Sequence, residues 1–407
     1  MASSLQSIFR SHFESYSKEH HLHPRELRAA NAIMGCHSAA LGGHVLSCPE
    51  GHESRIQYNA CRHRSCPKCA DRPRREWLER ELPKILPCEH FHVVFTLPHV
   101  FMALWEHNRA RLNQLLFDCA RKALLELCAD ERFLGATPGI LMSLHTWGRT
   151  LSHHPHVHCL VSAGGADDAG TWHASREKYL VPVKALSALF RGKMLHELKR
   201  LIMERRLVLP IKQNREHWMQ AISGQYRRHW NVSVSEPYAH GKGVTLYLAR
   251  YVKGGPLAKD RALHMKAGKV SFGYTDHRDH KSKTLVLTLH EFISRVLWHA
   301  PPKGQHLVRH CGLYASSAIG HHQRSMRALN PGPKPALPST SATHAFVRYR
   351  PSPASDCGTC KNPLQRTQSL LPAHRFGEFS ISTQPIFIEP RRSTQTQAKP
   401  PSQAGPT

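Results

Sequence analysis

Residues 152–165 read SHHPHVHCLVSAGG, and no other stretch restricts the fold so tightly. Val157, Cys159, Leu160 and Val161 suit a buried strand, with Pro155 near its start and Gly164-Gly165 as its stop. Side chains two apart on a strand share a face, so His156 and His158 project together while Val157 points the other way. Two imidazoles fixed side by side make most of a metal site with open positions, as a catalytic ion needs. The chain carries 33 histidines in 407 residues, so the pair can also arise by chance, and a second element is needed.

That element is GKGVTLYLARYVKGGP, residues 241–256. Leu246, Leu248, Ala249 and Arg250 favour a helix that Gly254-Gly255-Pro256 stops. Tyr247 and Tyr251, four apart, emerge from one helix face. Val244, Tyr247, Leu248, Tyr251 and Val252 also fit the apolar stripe of an ordinary core helix.

A third feature is the cluster Cys36, His44, Cys48, His52, Cys61, His63, Cys66 and Cys69. Cys48-x3-His52 and Cys66-x2-Cys69 have the two-pair spacing of a structural zinc site, because ligands two or three residues apart can bite one tetrahedral ion. Cys61 is an alternative ligand, and Cys36 and His44 are spare or belong to a second ion's shell. Arg62, Arg64 and Lys68 crowd this site, a density suited to phosphate contacts or to a solvated face.

Lys and Arg number 56 against 29 Asp and Glu, a net charge of +27. Such an excess points to a polyanionic partner, nucleic acid before a membrane surface. No apolar run approaches a spanning helix and no signal-peptide core opens the chain, so no membrane partner is expected. Twelve cysteines at metal-type spacing, with no mark of secretion, point to a reducing cytosol, with thiolates used for metal rather than disulfides.

His-hydrophobic-His followed by Tyr-x-x-x-Tyr resembles the HUH class of single-strand DNA endonucleases. The words HPHVHCLVSAGG, YLARYVKGG, EFISRVLWHAPPKG and RHCGLYASS resemble the two-tyrosine rolling-circle transposases of the insertion-sequence ninety-one family, over roughly residues 30–320. GGHVLSCPEGHE and YNACRHRSCPKC resemble that family's N-terminal zinc-binding domain, with one departure. Where the first pair often has two cysteines, Gly51 stands here and His52 must substitute.

The expected fold class is α+β: an N-terminal zinc-binding module, then an HUH-type antiparallel sheet with helices packed on it, then a disordered basic tail. The corresponding segments are 1–89, 90–321 and 322–407. Helices are expected over 5–34, 103–128, 184–206 and 290–299, and strands over 91–97, 140–147, 269–274 and 284–289. Trp218, Tyr226 and Trp230, interleaved with Arg227, Arg228 and His229, suit base stacking or the core equally. Thirteen of the 28 prolines and only three acidic residues fall between 331 and 407, so the tail is expected not to fold. Cys357-x2-Cys360 within it reads as a lone pair rather than a second zinc site.

The resemblance implies metal-assisted transesterification on single-stranded DNA at element ends and target. A tyrosine hydroxyl, with its ordinary pKa near 10, is a weak nucleophile, so an ion on His156 and His158 would help most by polarising the phosphodiester. The products would be a 5′-phosphotyrosine and a free 3′-OH. Magnesium or manganese suits the reaction, and the imidazoles favour manganese. The third ligand stays open among His145, His154 and several acidic residues. Arg250 and Lys253 are candidate phosphate holders. No GxxxxGK[ST] loop occurs, so unwinding would fall to a host helicase or replication protein. The competing readings are a non-catalytic zinc DNA-binding protein, a zinc hydrolase on His154, His156 and His158, and a plasmid rolling-circle initiator.

Overall fold

The computed structural model describes residues 2–239, 255–257, 261–276, 279–330, 356–372 and 386–387. Two compact units emerge, one of residues 1–34 with 62–347, the other of 35–61 with 348–407. These units cut the chain differently from the consecutive segments 1–89, 90–321 and 322–407.

In the first unit the expected N-terminal helix is two, α1 (Leu5–Glu19) and α2 (Pro24–Gly35). Ser4 and Ser7 cap the start of α1 reciprocally. The helix expected over 103–128 also breaks, at Asn108, into Met102–His107 and Arg109–Ala129. The basic amphipathic stretch folds as Val183–Met203.

Six strands form the main sheet. Its spine runs Val308–Gly312, Thr137–Trp147, His153–Ala166, His90–Thr96 and Val232–Val234, with Trp172–Ala174 paired to the end of the third. Every pairing is antiparallel, and the histidine strand sits in the middle. One face carries Phe91, Val93, Phe95, Ile140, Met142, Leu144, Val157, Cys159 and Val161 into the main core. Leu112, Leu116 and Leu124 of Arg109–Ala129, with Phe190, Met194 and Leu198 of Val183–Met203, cover it. Side chains on alternate positions must then point to the opposite face.

A second sheet in this unit has the order Ala2–Ser3, Leu263–Lys266, Lys269–Thr275, Ser282–Thr288. The last two are the strand pair that the sequence predicts, and the helix Leu289–Trp298 follows directly. Tyr16 of α1 is hydrogen-bonded to Ser294 of that helix at 2.8 Å. The helix Ile319–Leu329 runs through position 322, where the tail was expected to begin.

The second unit is a small antiparallel sheet ordered Ile386–Phe387, Gln365–Leu371, Gly43–Ser47, Ser54–Tyr58. Its third and fourth strands come from the expected zinc module and its first two from the expected tail. The tail expectation is therefore corrected for 356–372: the backbone of Gln365–Leu371 pairs with Gly43–Ser47 despite the polar composition of the segment. Ladder hydrogen bonds supplied by a preformed edge replace the apolar surface that the segment lacks.

Candidate metal centre

Strand alternation places His156 and His158 on the face opposite the main core, and register supplies their neighbours. His156 pairs with His145 on one side and Thr96 on the other, and His158 with Ser143 and Val94. His145, His156 and His158 thus share a face, and their ligand nitrogens all lie within 4.8 Å of one another. All three are buried. Of the candidates that spacing left open for a third ligand, register places His145 beside the pair. His154, the other histidine candidate, is exposed.

The Nε2 atoms of His156 and His158 are 3.0 Å apart. That matches the edge of about 3.0 Å between adjacent ligands of an octahedral ion with bonds of about 2.1 Å. His156 Nδ1 donates to the carbonyl oxygen of His154 at 2.5 Å, which leaves a lone pair on Nε2. His158 Nδ1 lies 2.9 Å from Nε2 of His92, a residue of the neighbouring strand that sequence reasoning missed. With His158 donating to His92, the lone pair of His158 Nε2 faces the same side as that of His156 and can accept a cation. In the other tautomer His92 donates to His158, and His158 donates to His156. A cation selects the first arrangement.

Burial pushes the His156 and His92 imidazoles down to about 4. His158 is driven down further, by burial first and then by the imidazoles of His145, His156 and His92. Neutral, converging imidazoles are the form a metal requires, and the donor set fits a divalent ion. Without a carboxylate in the group, manganese fits it better than magnesium.

Tyr247, Tyr251, Arg250 and Lys253 lie outside the described residues. Arg62 and Lys68 are exposed, and Lys68 Nζ donates to Gln6 Oε1 at 2.7 Å. Arg64 is half-buried, and burial lowers its guanidinium to about 10. Trp218 and Trp230 are core residues, packed around Phe101, whereas Tyr226 is exposed. On the helix Val183–Met203, Lys193 pairs with Glu126 and Arg200 with Glu197 and Glu204, so part of its positive charge is neutralised within the chain.

The expected set Cys48, His52, Cys66 and Cys69 is not brought together. Cys48 and His52 group with Cys357 and Cys360, while Cys66 and Cys69 belong to a separate group of thiols. The expectation that Cys357-x2-Cys360 is a lone pair is corrected by the same grouping. The physical reason is the strand pairing of Gln365–Leu371 with Gly43–Ser47, which carries the C-terminal pair to the first one.

His145, His156 and His158 thus form a buried imidazole cluster on two adjacent strands of an antiparallel sheet, a donor set that could hold a metal ion. Known proteins supply the chain's family. Residues 139–321, which include all three histidines, match the family model described as "Putative transposase", and residues 8–97 match "Transposase zinc-binding domain". The chain is 34% identical over 350 residues to "Putative transposase y4qJ" of Sinorhizobium fredii, covering 84% of this chain and 87% of that protein. It is 28% identical over 348 residues to "Transposase for insertion sequence element IS801" of Pseudomonas savastanoi pv. phaseolicola, covering 82% of each. This chain belongs to the insertion-sequence ninety-one family of transposases and carries that family's zinc-binding domain. No solved structure matches it. No helix among the described residues is long and apolar enough to cross a membrane.

Proposed function

We propose that this transposase nicks and rejoins single-stranded DNA by tyrosine transesterification, moving an insertion sequence by a rolling-circle-type mechanism. The observation that carries the reading is the convergence of His145, His156 and His158 on one sheet face, inside the transposase match. A divalent ion held there would supply Lewis acidity at a scissile phosphate.

Tyr247 or Tyr251 supplies the nucleophile. Its Oη forms a bond to phosphorus, the bond from phosphorus to the 3′-oxygen breaks, and the tyrosine proton is balanced by protonation of the leaving 3′-oxygen. The DNA is left as a 5′-phosphotyrosine and a free 3′-OH. Reversal by another 3′-OH rejoins a strand without an external energy source. The second tyrosine allows a second strand to be held while the first is transferred.

His92 positions His158 through their hydrogen bond, and the His154 carbonyl positions His156. Arg62, Arg64, Lys68, Arg250 and Lys253 hold phosphates of element-end and target DNA. Cys66 and Cys69 take part in the structural zinc of the N-terminal domain. The protein works in the cytoplasm on the nucleoid, and host helicase or replication proteins supply unwinding.

The test is a denaturing gel of the full chain incubated with labelled single-stranded element ends and manganese. A covalent protein–DNA band is expected that disappears in the Tyr247→Phe, Tyr251→Phe double variant. Cleavage without an adduct, or an undiminished adduct in that variant, would overturn the reading.

A further inference from the structure

The smaller unit has almost no core of its own. Among its described residues the buried apolar side chains are Cys36, Ala39, Cys48, Cys357 and Leu370. A sheet so poor in apolar burial needs another source of stability, and metal is the usual one for a module of this size. The geometry points to a zinc ion bound by Cys48, His52, Cys357 and Cys360, a site that joins chain positions more than 300 residues apart.

The distances fit. A tetrahedron with Zn–S of about 2.3 Å and Zn–N of about 2.0 Å has edges near 3.8 Å between sulfurs and near 3.5 Å between sulfur and nitrogen. Here Cys48 Sγ lies 3.5 Å from Cys360 Sγ and 3.6 Å from His52 Nδ1, and Cys357 Sγ lies 3.9 Å from the same nitrogen. All four ligand atoms fall within 4.8 Å of one another.

The two halves of the site are built alike, which a chance encounter of thiols does not explain. The Cys48 amide donates to the carbonyl of Glu53, five residues on, at 2.9 Å. The Cys357 amide donates to that of Asn362, also five on, at 2.8 Å. Each turn contains a left-handed residue, Gly51 at φ 74° and Lys361 at φ 62°. Both turns are thus folded so that side chains at the first position and three or four later converge. The Gly358 amide also donates to the Glu53 carboxylate at 2.5 Å, linking one turn to the other. Three thiolates and one imidazole form a closed structural set with no open position for substrate.

Two measurements on the full chain test the site. Metal analysis after zinc-supplemented expression should find about two equivalents per chain, one for this site and one for the domain's other thiols. The Cys357→Ser, Cys360→Ser double variant should lose about one of them. In the unaltered protein, adding a zinc chelator should expose Cys48, Cys357 and Cys360 to alkylation together, as read by mass spectrometry. That second measurement holds even if the variant fails to fold. Unchanged zinc content in the variant, or alkylation of Cys357 and Cys360 that ignores the chelator, overturns the site. So does recovery of a Cys48–Cys360 disulfide from zinc-loaded protein.

Discussion

The two clusters differ in what surrounds them. The three clustered histidines stand on two adjacent strands of a six-stranded sheet whose other face is a large apolar core, so the scaffold exists before any ion arrives. The thiol-rich group sits where little else is buried, so the ligands themselves are most of the scaffold. On the proposed reading, a metal added to the first site would change chemistry, and a metal removed from the second would change folding. Open, imidazole-lined and preorganised is the signature of the one; closed, thiolate-rich and self-supporting is the signature of the other.

The sharpest way to break that comparison is to remove the imidazoles. His156→Ala with His158→Ala should lower metal-dependent nicking by on the order of 10³-fold or more, since the ion would lose two of its three histidine ligands. DNA binding and thermal stability should change little, because the sheet is held by its opposite face. A variant that nicks normally would remove the catalytic role; one that unfolds would erase the distinction between the sites.

His92 gives a smaller effect. Replacing it by Leu removes the hydrogen-bond partner of His158 Nδ1 while leaving every proposed ligand in place, and outer partners of this kind are typically worth about 10- to 100-fold in metal affinity. The expected result is a higher manganese concentration for half-maximal nicking with a nearly unchanged rate at saturation. A lower saturating rate with unchanged manganese dependence would assign His92 to substrate instead.

Acidification probes the same cluster without mutation. Burial holds His156 and His92 near 4 and His299 near 3, all below the ordinary value of 6.5. The unfolded chain therefore takes up more protons between those values, and stability rises with pH in that window. Stability is fully present above about 6.5 and is lost as pH falls toward 4, at roughly 1.4 kcal/mol per pH unit for each fully buried imidazole. Thermal unfolding of metal-free protein should show a Tm that is flat from pH 7 to 8 and falls steadily below 6.5. A flat profile down to pH 5 would mean that these rings are not buried.

Why one cluster was legible and the other was not follows from how far its ligands lie apart. His156 and His158 are two positions apart, and a period of two is a local property of a strand. His145 needs one further fact, the register of a neighbouring strand, which left it a candidate beside His154. His92 needs the register of a third strand, and its apolar neighbours Phe91 and Val93 gave no hint of a polar role. Cys360 needs a pairing across 312 residues of chain, and its proline-rich, serine-rich surroundings argue locally for disorder. The same limit applies to Trp218 and Trp230, whose basic neighbours suit DNA as well as solvent; only their burial places them in the core.

The smallest effect concerns charge. Arg62 and Lys68 are exposed near Cys66 and Cys69, and Lys68 bonds to the neutral Gln6. If both reach phosphates, replacing each by Gln should lower the slope of log Kd against log salt by about 0.7–0.9, without changing sequence preference. The same substitution at Lys193, which is paired with Glu126, should leave the slope unaltered. Equal slopes for all three variants would mean that the basic turn near the zinc-binding thiols is merely solvated, and that DNA is held by other cations of the chain.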